Sequence, residues 1–141
     1  MALEPQISYL AAKAALDNLL DLVDGGASFG YIEIRDGTKP TNCETASAGT
    51  LAATLTMSDP AFLAATDQNP NARAAADTIS DDTSADATTT VTYFRVFDSN
   101  AVCIMQGTVG TSGADMNFNS VAFQSGANVS ISSFLVTMPE S

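Results

Sequence analysis

The hydrophobic pattern changes period once along this chain, near Gly25-Gly26, from helical before to strand-like after. Between Ile7 and Asp24 apolar residues recur at three- and four-residue spacing. Ile7, Leu10, Ala11 and Ala14 form one face, and Leu16, Leu19, Leu20 and Val23 continue it with a drift. Lys13, Asp17, Asp21 and Asp24 mark the opposite, polar face. The spacing predicts an amphipathic helix stopped by the paired glycines. Asp21 and Asp24 fall at the end where the helix dipole favours cations, so packing has to hold this helix in place.

Beyond Gly26 the period is two. Ile32 and Ile34 alternate with Tyr31, Glu33 and Arg35 before an Asp36-Gly37 turn and a loop through Lys39, Pro40 and Asn42. Leu51, Ala53, Leu55 and Met57 alternate with Ala52, Thr54 and Thr56, and Asp59-Pro60 ends that strand. A short edge strand is expected over 61–66, a polar turn over 67–71, a weak strand over 73–80 and an exposed acidic loop over 80–87. Residues 88–98 read as a strong β-branched and aromatic strand, turned at Asp98-Ser99-Asn100 into a partner over 101–109. Met116 and Phe118 alternate with Asn117 and Asn119, and a last strand spans 129–138. In that last strand the inward parity flips at Ser132-Ser133, as a bulge or a crossing between sheets would require. The sum is a mainly β fold: a β-sandwich or jelly-roll-like domain of about eight short strands, preceded by one N-terminal amphipathic helix. The arm and helix occupy 1–26 and the β-domain 27–141, within one compact unit.

Composition narrows the chemistry. The 141 residues carry 16 acidic and 5 basic side chains, a net charge of −11. Lys13, Arg35, Lys39, Arg73 and Arg95 are scattered, which disfavours binding to nucleic acid or to an anionic membrane. The N-terminus lacks the pattern of a secretory signal, and no run is long and apolar enough to span a bilayer. With no histidine there is neither a Ser-His-Asp triad nor a Cys-His pair. Cys43 precedes Glu44, which would raise its pKa. The two cysteines, Cys43 and Cys103, are read as free, partly buried thiols suited to a reducing cytoplasm. The carboxylates that could be paired for hydrolysis, Glu33, Asp36, Glu44, Asp59, Asp77 and Asp98, sit mostly where turn chemistry explains them. The acidic stretch from Asp77 to Asp86 offers oxygen ligands for calcium but lacks the ordered spacing of an EF-hand, and it reads as a solvated loop. The expectation is a protein that is not an enzyme and has no cofactor and no metal.

One series of segments resembles a known class. It runs from Tyr31-Ile32-Glu33-Ile34-Arg35-Asp36-Gly37-Thr38-Lys39-Pro40 through Ala48–Leu55 and Met57–Phe62. It continues with Thr83–Thr88 and Tyr93–Ser99 and closes at Val129–Phe134. The series resembles small virion structural proteins of tailed phages, and within them capsid decoration (cement) proteins. The resemblance implies a homotrimer on the outer capsid surface that bridges neighbouring copies of the major capsid protein, made in the host cytoplasm and carried in the virion. It places the partner interface on Leu3, Ile7, Leu10 and Ala14, with the loop through Lys39 and Pro40 as a second contact. Two rivals are a neck, connector or tail component and a carbohydrate-binding sandwich, the latter with Tyr31 and Tyr93 as its aromatic platforms.

Overall fold

A computed structural model describes residues 5–140. Helix α1 spans Tyr9–Asp21, capped by Ser8, whose hydroxyl accepts a hydrogen bond from the Ala11 amide at 3.1 Å. A 3-10 turn over Leu22–Asp24 closes it before the glycines. Ten strands follow: β1 Tyr31–Arg35, β2 Leu51–Thr56, β3 Thr66–Asp67, β4 Asn71–Ala75, β5 Thr89–Thr90, β6 Tyr93–Phe97, β7 Cys103–Gly110, β8 Met116–Asn117, β9 Ala122–Phe123 and β10 Leu135–Pro139. The fold is mainly β with an N-terminal helix, as the periodicity predicts, with two more strands than expected because four of the ten are two-residue pairings.

Five strands form the main sheet in the order β2-β1-β6-β7-β8, antiparallel except for the parallel β7–β8 pair. A second sheet has the order β10-β4-β3, and β5 pairs with β9. Helix α1 lies on the second sheet, against β4, β10 and β3. Ala72 and Ala74, the inward residues of β4, are completely or almost completely buried. Their small side chains let the helix approach closely, and Leu16, Leu20 and Val23 share one core cluster with them. Phe134 ties the sheets together: its ring lies 5.8 Å from Phe62 and 5.6 Å, edge-on, from Phe94 of the main sheet.

Several boundaries differ from the sequence reading, each for a local reason. The strand expected over 73–80 lies at Asn71–Ala75, and Ala76 continues only as a single bridge to Phe62. The strand expected over 88–98 is interrupted at Val91-Thr92, where the chain changes partner from β9 to β1 and β7. The parity flip in the last strand is a crossing between partners. Val129 bridges Asp82, whereas β10 pairs with β4. Ala52 and Ala53 are both buried because the β1–β2 register shifts between Ile34 and Arg35, which leaves Ala52 as an extra residue.

Candidate functional site

The helix buries the second half of its predicted apolar face, Leu16, Leu20 and Val23, but not the first. Ala12, Leu16, Leu20 and Val23 are buried, whereas Ile7 is 41% and Leu10 71% exposed, and Ala14 is exposed as well. Two acids from the expected polar face do structural work instead. Asp17 accepts the Ala65 amide at 2.8 Å and Asp24 accepts the Ala61 amide at 3.0 Å, so the extended chain over 61–65 is hung along the helix. Burial opposes ionisation of Asp17, but the Ala65 amide and the Lys13 ammonium outweigh it and hold the carboxyl below its ordinary range. Asp24 shifts the other way: burial raises it, the Ala61 amide offsets this in part, and the nearby Asp59 and Asp21 add repulsion. Of the four helix and arm positions expected to meet a partner, Ile7, Leu10 and Ala14 therefore face outward. Leu3 lies outside the described residues.

The loop between β1 and β2 has a different fate. It folds back over the outer face of the main sheet and covers the central strand, so that all five residues of β6 are buried. Asp36 closes the base: one carboxylate oxygen accepts the Thr50 amide and the other the Thr89 hydroxyl. Those two donors hold Asp36 below the ordinary carboxylate range. Gly49, at φ +71°, passes so close that an added Cβ would lie 2.1 Å from the Asp36 carbonyl oxygen. Pro40 is buried, and its carbonyl accepts Gln106 Nε2 at 2.8 Å, while Lys39 is half-buried. The Lys39–Pro40 segment is thus engaged within its own domain.

Beneath this loop sits Arg95, only 2% exposed. Its guanidinium donates to Gln106 Oε1 at 3.0 Å, Ser47 Oγ at 3.2 Å and the Asn42 carbonyl at 3.0 Å. Among the described residues no carboxylate pairs with it. Glu33, opposite it in the register, is bonded to Arg35 at 2.9 Å. The Tyr93 hydroxyl donates to the Ala48 carbonyl and accepts the Ala48 amide at 3.0 Å. Cys43 and Cys103 form a disulfide with Cα atoms 5.4 Å apart, which corrects the expectation of two free thiols and pins the loop to β7. Sixty residues separate the two cysteines, and only the fold brings them together.

Two other readings are revised by these positions. Tyr93 is fully buried and cannot serve as an exposed aromatic platform, and Tyr31 is half-buried, stacked on Phe97 at 5.2 Å. The acidic stretch 77–86 is partly structural. Asp82 accepts the Thr54 amide at 2.9 Å and the Ser84 amide at 3.0 Å, and Asp81 accepts the Asn128 amide group at 3.1 Å. Among the described residues no three acidic or cysteine side chains converge as a metal-binding group would, and no helix is long and apolar enough to cross a membrane. The outward helix stripe is the candidate functional surface: apolar side chains presented to solvent by an element whose other face the core already holds. No protein-family model, no curated protein and no solved structure matches this chain.

Proposed function

We propose that this chain is a capsid decoration protein of a tailed phage, docking on the major capsid protein through the outward face of its N-terminal helix. The observation that supports this most is the division of the N-terminal segment: Ala12, Leu16 and Leu20 of α1 and Val23 of the turn after it are buried in the β-domain, while Leu10 of α1 and Ile7, just ahead of its cap, stand 71% and 41% exposed. The segment resemblance and the catalytically poor, acidic surface support the same reading. Stabilisation would follow from linkage, because a protein that binds only the assembled shell shifts the equilibrium toward that shell. Repetition over many sites multiplies modest contacts. Synthesis in the host cytoplasm would leave Cys43 and Cys103 reduced, to join once the particle reaches oxidising surroundings. A trimer around the three-fold positions would present three such helices together.

The test is the copy number per particle, measured by quantitative mass spectrometry of purified virions, with a Leu10→Asp variant beside the wild type. A number approaching that of the capsid subunit, reduced in the variant, is the expected result. A few per cent of that number would move the protein to the neck, connector or tail. Full occupancy by the variant would overturn the helix as the docking face. Leu10 is 71% exposed, so its replacement should change folding stability by no more than about 0.5 kcal/mol.

A further inference from the structure

From Met116 to Pro139 the chain carries no charged side chain, although 21 of its 141 residues (16 acidic and 5 basic) are charged. The fold gathers most of this stretch around two neighbouring hollows, which together make a groove. One hollow of about 360 Å³ is bordered by Phe118, Gln124 and Ser130. A second of about 390 Å³ is bordered by Phe118, Ser130 and Phe134. Phe118 and Ser130 line both, so the hollows adjoin, and each falls within the size range of small-molecule sites, about 300–1,000 Å³. Asp115, the one acid at the border, is turned to Thr108, whose amide and hydroxyl it accepts at 2.8 and 3.0 Å.

We infer that this groove binds a neutral glycan. Its free polar groups are of one kind. The side chains of Asn119, Gln124, Ser130, Ser132 and Ser133 are exposed and make no hydrogen bond to other described residues. Asn117 and Asn128, which line the same hollows, are bonded within the fold instead. Amides and hydroxyls both donate and accept, which matches the dual character of sugar hydroxyls. Phe118, half-buried and braced edge-on by Phe123 at 5.3 Å, gives a fixed apolar surface at the junction for the C–H face of a pyranose ring. The charge of the whole chain, −11, repels anionic ligands. A cation meets one carboxylate at the border, Asp115, which Thr108 already engages. Strand addition by a peptide is less well served, because β8 is only two residues long and β10 enters the groove with Leu135 alone.

The experiment titrates the isotopically labelled, full-length protein with neutral gluco-, manno- and galacto-oligosaccharides, followed by amide chemical shifts. An alginate oligomer and an uncharged Ser/Thr-rich peptide run as separate arms. Shifts confined to 115–135 with at least one neutral oligosaccharide, and none with alginate, are expected. Asn119→Ala combined with Gln124→Ala should weaken that binding by about fivefold or more, the loss of roughly one net hydrogen bond, while Leu10→Asp leaves it intact. No response to any neutral oligosaccharide at millimolar concentration overturns the inference. So does equal binding of alginate, or binding of the peptide alone. None of these results bears on particle copy number, so this groove and the helix face stand or fall separately.

Discussion

At the scale of single residues, the molecule is governed by where it places its few charges. Arg95 is the clearest case: a buried cation held by three neutral acceptors, two of them on the covering loop. Charge-assisted hydrogen bonds contribute about 1.5–3 kcal/mol each, and their loss also strands the acceptors. Arg95→Met should therefore cost about 2–3 kcal/mol in urea unfolding. Arg95→Lys should not restore it, because an ammonium cannot span acceptors arranged for a planar fork. Asp24 is the opposite case. Its folded-state pKa is raised, so its ionised form opposes folding above that pKa and the penalty disappears as pH falls through it. Asp24→Asn keeps an oxygen for the Ala61 amide and removes a negative charge from the helix C-terminus. It should raise stability at pH 7 by about 0.3–1 kcal/mol, with the gain vanishing in acid. Asp17 and Asp115 carry lowered pKa values, and the stability they contribute is present above the unfolded carboxylate pKa and lost as pH falls through their folded values. Thermal unfolding of wild type and Asp24→Asn across the acidic range separates these opposed trends.

At the scale of elements, the 36–50 loop decides more than its sequence advertises. Lys39-Pro40-Thr41-Asn42 has the composition of an ordinary surface turn, yet it forms the lid over β6, and the Cys43–Cys103 bridge fixes it there. Closing a loop of this length with a disulfide contributes about 2–4 kcal/mol. Cys43→Ser with Cys103→Ser should lower stability by about that amount and make 36–50 the first site of limited proteolysis, read by mass spectrometry of the fragments. Legibility differed sharply between elements. The helix limits, the Ile32/Ile34 strand and the hairpin turned at Asp98 were readable because local period and turn chemistry determine them. The first half of the inward stripe of α1, where Ala12 and not Ile7, Leu10 or Ala14 meets the core, was not, because its partner is the alanine-rich β4, and alanines at 72 and 74 give a hydrophobic scale little to register. The roles of Asp17 and Asp24 were hidden for a related reason. An acid that accepts a backbone amide 37 or 48 residues away looks, in sequence, like a solvated one. Asp59-Pro60 and the polar turn over 67–71 marked breaks correctly but not which edges the chain would join after them.

At the scale of the whole molecule, the architecture follows from a shortage of large apolar residues. The core is thin, built from alanines, a line of phenylalanines and a sheet covered on its outer face by its own loop, so almost every segment is tied to a distant one. The mainly β class with its leading helix was legible for this reason: turns and periods repeat often enough to define it. The candidate docking face was legible only in part, since Ile7, Leu10 and Ala14 were visible as apolar residues but their outward orientation depends on the packing of α1. The groove around Phe118 was not legible, because the segments that line it are each unremarkable as sequence and acquire meaning only when folded together. One contact has a practical corollary. The Ile7 amide donates to the Glu140 carbonyl at 2.9 Å, which brings the beginning and the end of the described chain to one corner, a few residues from Leu10. A passenger domain joined directly at Pro5 or at Glu140 would start from that corner, so display through either end of the described chain crowds the same face.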